Sequence, residues 1–288
     1  MEIKIGYLVA YDYELLKHSL PTVYKGADKI VIAIDKDRKT FAGETFSIEP
    51  SFFTWLKEID ADNKITIYED TFYVPGMPAT DADTRERNMV GKKLGEGGWH
   101  FHIDVDEYFI NFEELVSKVK AEESRFINKK VTLQIYCSVI FKATPEGYFM
   151  VGGAPEKFAM ITNHPVYHRH RYSSDTENHT LNHLIVHQSW GRNENDLKTK
   201  LNNWAHRVDF DTESYFNFWK SLNVFNYKYI TDFHPLNACL WTKLDFIPAA
   251  SLEELLSQMP SEVNLTQEKW KPLRNWIPPV IYNRLQKI

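Results

Sequence analysis

The chain has 288 residues, of which 43% are hydrophobic, 25% charged and 14% aromatic. That is too apolar for intrinsic disorder, too polar for a membrane bundle, and long enough for one large core with a helical appendage. A net charge of −5 provides no global field for a nucleic-acid backbone, so any phosphate recognition must be local.

No apolar run approaches the ~20 residues that cross a bilayer, and Met1-Glu2-Ile3-Lys4 meets charge before any signal-like stretch, so the expected location is cytoplasmic. The two cysteines, Cys137 and Cys239, lie inside apolar patterns and read as buried free thiols.

In chain order, residues 4–10 and 29–35 are β-rich runs, with Leu15, Leu16, Leu20 and Val23 at helical spacing between them. This βαβ opening contains Pro21, which predicts a short or broken helix. A strand over 64–68 and a Pro/Gly loop at 74–78 follow. Thr80 and Asp81 then read as the N-cap of a helix that reaches Leu94 and ends at Gly95. From Trp99 to Asp106 the chain alternates with period two, which brings Asp104 and Asp106 out together at a strand's carboxyl end. Asn111 and Glu114 form a capping-box-like start to a helix carrying Phe112, Leu115, Val116 and Val119.

Residues 131–141 alternate again as a half-buried strand, whereas 145–195 read as irregular and hold six of the eleven histidines. Two further helices are predicted, one carrying Leu197, Leu201, Trp204 and Val208, the other starting at Ser251. Residues 269–288 carry five basic side chains, no acid, and Trp270, Trp276 and Tyr282. This tail reads either as a packed or solvated terminus or as a contact for anionic lipid headgroups. The division expected is a catalytic domain over 1–245 and a C-terminal helical extension over 246–288.

In an open α/β sheet ligands collect at the strands' carboxyl ends, which places Tyr11, Asp12, Asp35, Asp104 and Asp106 around one crevice. Two ionised carboxylates that close need a cation, and a divalent metal would satisfy both. The first βα turn, residues 9–14, has no glycine to admit a pyrophosphate, which argues against a dinucleotide oxidoreductase. His183 and His187 are spaced like a zinc pair, but Leu184 stands where a metallohydrolase has its glutamate.

The run Val9-Ala10-Tyr11-Asp12, the strand end Ile32-Ala33-Ile34-Asp35, Arg87-Asn88, and Ile103-Asp104-Val105-Asp106-Glu107 together resemble the family 2 glycosyltransferases of GT-A fold. Two departures stand out: Val9 and Ala10 replace the usual small hydroxyl before Tyr11, and Lys36-Asp37-Arg38 replaces a Gly/Ser-rich turn. The resemblance implies a Rossmann-like α/β fold with a mixed central sheet flanked by helices. It also implies metal-dependent, inverting transfer from a nucleotide-diphosphate sugar, a UDP-sugar above all, to a glycan or lipid-linked glycan.

It gives Tyr11 to the nucleobase, Asp35 to base or ribose, Arg87 to nucleotide or sugar, and Asp104 to ribose or metal. Asp106 and His187 would complete the metal site. An imidazole ligand leans that site toward Mn²⁺ over Mg²⁺. Arg192, after the run 184–191, would meet a diphosphate oxygen. The candidates for catalytic base are Glu156 and then Asp175. Arg87 reads equally as a partner for Asp83, and Trp190, Trp204 and Trp219 as core or as sugar platforms. The alternative is a non-catalytic nucleotide- or glycan-binding protein with a degenerate pocket.

Overall fold

Continuous apolar runs without alternation belong to strands covered on both faces. In the computed structural model β1 (Ile3–Val9) and β2 (Lys29–Asp35) are such strands, paired in parallel with Tyr7 opposite Ile32. The structure describes residues 1–173, 175–204, 206–237 and 239–264. The tail read as basic and aromatic lies outside the described residues.

Between β1 and β2, a 3₁₀ turn leads into α1 (Leu16–Tyr24), which buries Leu16, Leu20 and Val23. Pro21 sits within α1 without ending it; it lies on the exposed side, where the carbonyl it leaves unpaired can meet water. The helix α2 (Pro50–Ile59), not foreseen, buries Phe52 and Leu56, and β3 (Ile65–Asp70) then joins β2 in parallel.

The next helix, α3 (Ala79–Leu94), begins at Pro78 with no side-chain cap, so Thr80 and Asp81 fall in its first turn; Gly95, at φ +86°, ends it. A Cβ on Gly6 would stand 2.5 Å from Val90 Cγ1, so a glycine in β1 is what lets α3 lie close on the sheet. That close approach brings Asp83, Glu86 and Arg87 toward the carboxyl end of β1. On its other side β1 pairs in parallel with β4 (Trp99–Asp104), Leu8 opposite Asp104.

After β5 (Glu107–Phe109), the expected cap holds: Asn111 Oδ1 accepts from the Glu114 N–H at the start of α4 (Phe112–Glu122). The second half is antiparallel for the most part, with β6 (Val131–Thr144) flanked by β7 (Gly147–Gly152) and β8 (Glu156–Thr162). β9 (Glu177–His187) runs parallel to β6 and antiparallel to β5.

Residues 145–195, expected to be irregular, instead hold the three strands β7, β8 and β9, which take in nearly half of them. Their polar residues hid strands that face solvent on one side. His183 and His187 lie on β9, where a spacing of four is roughly 13 Å, too far to share a zinc ion.

α5 (Glu194–Asn203) ends before Trp204, and Val208 is 81% exposed rather than on its buried face. α6 (Thr212–Ser221), β10 (Lys243–Ile247) and α7 (Leu252–Gln258) follow; Ser251 caps α7 as expected. β10 crosses position 245, and Leu255 of α7 shares a buried cluster with Tyr108, Ile140 and Val186.

The sheet order is β10-β7-β6-β8-β4-β1-β2-β3, with α3 over one face and α1, α2 and α4 over the other. This is the Rossmann-like mixed α/β architecture that the resemblance implies. Among the described residues no helix is long and apolar enough to cross a membrane.

Candidate functional site

A cavity of about 510 Å³ opens at the carboxyl ends of β1, β2 and β4, where parallel strands leave a crevice. Tyr11 and Asp12 follow β1, Asp35 ends β2, Asp104 ends β4, and all four line it with Asp106. α3 adds Asp83, Glu86 and Arg87; the loop before β9 adds His170 and Arg171; His187 ends β9; α5 adds Lys200.

Charge organises these residues. Asp104 Oδ1 accepts from Arg87 Nη2 at 2.8 Å, and Oδ2 accepts from Arg171 Nη2. Arg171 also reaches Glu107 Oε1 at 2.8 Å, while Glu107 Oε2 accepts the Asp104 N–H at 2.8 Å. Asp106 Oδ2 accepts from Arg192 Nη2 at 2.6 Å and from Lys200 Nζ at 2.8 Å, and its Oδ1 stands 3.4 Å from His187 Nε2.

Burial alone would raise both acids. Arg171 and Arg87 instead hold the Asp104 carboxyl below the usual range, and Lys200, His187 and Arg192 hold Asp106 well below it. Arg87 also makes the alternative pair expected with Asp83, its Nε donating to Asp83 Oδ1 at 3.0 Å.

Asp104, Asp106 and His187 are the donors expected for a metal. Both oxygens of Asp104 are already engaged by guanidinium groups, and two cations share one oxygen of Asp106. Among the described residues no group of three or more His, Cys, Asp or Glu converges as a metal cage. This donor set does not fit a divalent ion. The positive charge that two neighbouring carboxylates require is present, but arginine and lysine carry it.

Asp35 lines the cavity, yet its carboxylate accepts four backbone N–H groups, from Asp37 and Lys39 on one oxygen and Phe72 and Tyr73 on the other. It clasps the β2 and β3 loops together, which leaves little of it for a base or ribose. Tyr11 stands at the crevice, its phenol pushed up by burial and by Asp12.

Arg192 is outside the cavity wall: it is buried behind Asp106 and Asp12, which it joins at 2.6 and 2.9 Å. Glu156 also lies off the cavity, where its Oε1 accepts from Trp241 Nε1 at 2.7 Å. Asp175 is exposed and likewise off it. Trp190 and Trp219 are buried core, whereas Trp204 lines the cavity.

No protein-family model matches the chain, and no curated protein matches it. Solved structures do align with parts of it. Staphylococcus aureus TarS 1-349 aligns at 14% identity and a TM-score of 0.31, over 51% of this chain and 41% of that one. A second S. aureus TarS structure gives 11% and 0.33, over 50% and 23%. A CMP:2-keto-3-deoxy-manno-octonic acid synthetase complexed with CTP gives 8% and 0.35, over 70% and 97%. The alignment spans less than half the length of either TarS structure. Likeness at this level bears neither on fold nor on chemistry, which rest on the strand order and the cavity.

Arg171 and Glu86 are cavity residues that sequence reasoning missed; His170 entered only as one of the six histidines of 145–195, where a binding surface was expected, and Lys200 only as a residue following the run 184–192. The one signal for Arg171 was the basic run Arg169-His170-Arg171. Glu86 is a carboxyl 5% exposed in the wall, raised well above its ordinary value by burial and by the charge of Asp83, with Arg87 opposing.

A raised carboxyl stabilises the fold only while protonated, so this contribution is lost as pH rises through the folded value. Glu86→Gln keeps the shape without the charge. Its melting temperature relative to the wild type is expected to climb between pH 5 and pH 8 in a thermal unfolding series. A difference that stays flat across that range would show that Glu86 is ionised throughout.

Proposed function

We propose that this chain is a transferase that takes a nucleoside-diphosphate sugar as donor and passes the sugar to an acceptor hydroxyl. One observation supports it above the rest: Arg87, Arg171 and Lys200 line a single crevice at the carboxyl ends of parallel strands, each held in place by a carboxylate. Fixed cations of this kind match a diphosphate and stabilise the charge that grows on it as it departs, with no reorganisation at the moment of reaction. The volume, about 510 Å³, lies in the range of small-molecule sites.

In this reading the acceptor oxygen attacks the anomeric carbon in line, with inversion, as the bond to the diphosphate breaks. Lys200 and Arg171 face the departing phosphates and Tyr11 faces the base. Arg192 acts from behind by positioning Asp106. A UDP-sugar is the donor favoured, and a glycan or lipid-linked glycan the acceptor. The neutralised carboxylate pair favours a second reading, a nucleotide-binding protein without turnover, and release of nucleoside diphosphate from a sugar nucleotide separates the two.

Calorimetric titration of UDP, GDP, CDP and ADP tests the donor site. One of them is expected to bind, with affinities in EDTA and in Mn²⁺ that agree within about threefold, because protein cations already meet the carboxylates. A loss of more than about tenfold in EDTA would return the metal to the site. Failure of all four, and of dTDP, to bind would end the transferase reading.

A further inference from the structure

Transfer to a hydroxyl needs a group that accepts its proton, and this inference rests on the transferase reading above. Glu156 and Asp175 do not line the cavity. Among the carboxylates that do, Asp35 is filled by backbone N–H groups, Asp104 and Asp106 by cations, and Asp12 is paired with Arg192 at 2.9 Å. Glu86 is buried in the wall, 5% exposed, against 26% for the His170 side chain.

His170 has none of these restrictions. Its ring lines the cavity, and its side chain is 26% exposed, enough for a substrate to reach. Nδ1 lies 2.8 Å from Asp83 Oδ2. A carboxylate only accepts, so it fixes the tautomer with hydrogen on Nδ1 and leaves the Nε2 lone pair free. Asp83 is itself held, since its Oδ1 receives Arg87 Nε at 3.0 Å.

The backbone at His170 is left-handed, at φ +52°, and its N–H is tied to Thr84 Oγ1 at 2.8 Å. A strained, tethered residue at the wall of a crevice is where folds position working groups. We propose that His170, oriented by Asp83, is the general base that deprotonates the acceptor.

The step balances. The acceptor O–H bond breaks and its proton passes to Nε2, while the oxygen's electron pair forms the bond to the anomeric carbon. The anomeric carbon–oxygen bond to the diphosphate breaks, and its pair leaves with the diphosphate. Asp83 stabilises the imidazolium until the proton passes to solvent. The charged and titratable groups facing His170 are Asp83 and Arg87 from α3, Arg171 beside it, and His206, whose ring lies 6.2 Å away and which pairs with Asp209 at 2.7 Å.

His170→Asn is the test. Asparagine tolerates a left-handed backbone and can still donate to Asp83, but it has nothing at the Nε2 position. UDP-glucose, UDP-galactose, GDP-mannose and dTDP-glucose serve as donors, with water as acceptor and nucleoside diphosphate release as the signal. The expected result is a kcat about 100-fold lower or less still. KM and nucleoside-diphosphate Kd should stay within about threefold, and the acid limb of the kcat–pH profile should disappear.

Asp83→Asn should lower kcat as well, because the ring loses the carboxylate that fixes its tautomer. A kcat within about threefold of wild type, or a weakening of Kd that accounts for the whole loss, would overturn the assignment. So would nucleotide binding by the wild type with turnover of none of the donors. Absence of nucleotide binding would instead bring down the transferase reading on which the assignment stands.

Discussion

Asp106→Ala is expected to destabilise the fold by about 3–5 kcal/mol, the magnitude seen when one partner of a buried ion pair is removed. For a chain of this size that is roughly a 5–8 °C fall in Tm. The carboxylate is 3% exposed and holds Arg192 at 2.6 Å and Lys200 at 2.8 Å, so its loss leaves two cations facing each other out of water. Among the described residues Lys200 has no second carboxylate at hydrogen-bonding distance, while Arg192 keeps Asp12 at 2.9 Å.

The pH dependence has a definite sign. Asp106 is held well below its ordinary value, so its contribution is present above the unfolded carboxylate value of about 3.9. It is lost as pH falls through the folded value. The Tm gap between wild type and variant should therefore be constant from about pH 5 to 8 and narrow on acidification. Thermal unfolding at pH 7 and pH 3 measures it, and an unchanged Tm at pH 7 would mean that the cations are solvated instead of paired.

Lys200→Met should weaken nucleoside-diphosphate binding about 10- to 100-fold while leaving the free nucleoside unaffected. The substitution keeps the apolar stem and removes only the ammonium, and a charge-assisted hydrogen bond contributes about 1.5–3 kcal/mol. Lys200 is one of the cationic groups on the cavity wall, and burial lowers its ionisation while Asp106 sustains it. Asp106 retains Arg192 in the variant, so stability should change little. Titrations of UDP and uridine on both proteins decide the matter: equal losses for the two would place Lys200 away from the phosphates.

What the sequence disclosed follows from the range of each interaction. The carboxyl ends of β1, β2 and β4 were legible because period-two alternation and apolar runs are local, and the Asn111 cap needed only Glu114 three residues on. The two carboxylates also announced a need for positive charge. Which groups meet it was not legible, since Arg171 and Lys200 arrive from a loop and a helix far along the chain. Glu156 looked like a base because it follows a Gly-rich turn, but the β8 register carries it toward Trp241. Likewise α2 and α6 escaped notice because their aromatic residues, Phe52, Phe53 and Trp55, and Tyr215, Phe216 and Trp219, suit strands as well as helices.

The separations in this charge network bear on the order of folding. Asp106 meets Lys200 across 94 residues and Asp12 meets Arg192 across 180, while Glu107 on β5 sits in register with His187 on β9. Contacts of such range form late, after the loops they close have been ordered. On the ribosome, the parallel strands can assemble well before any of their crevice can hold a phosphate, since its wall needs α5. Until α5 docks, the carboxylates of the β4–β5 turn lack part of the charge that compensates them, so the N-terminal half emerges with a built-in instability that only the second half relieves. A nucleotide that binds the finished crevice would then act on the last equilibrium of folding, trapping the docked state and slowing its return to solvent.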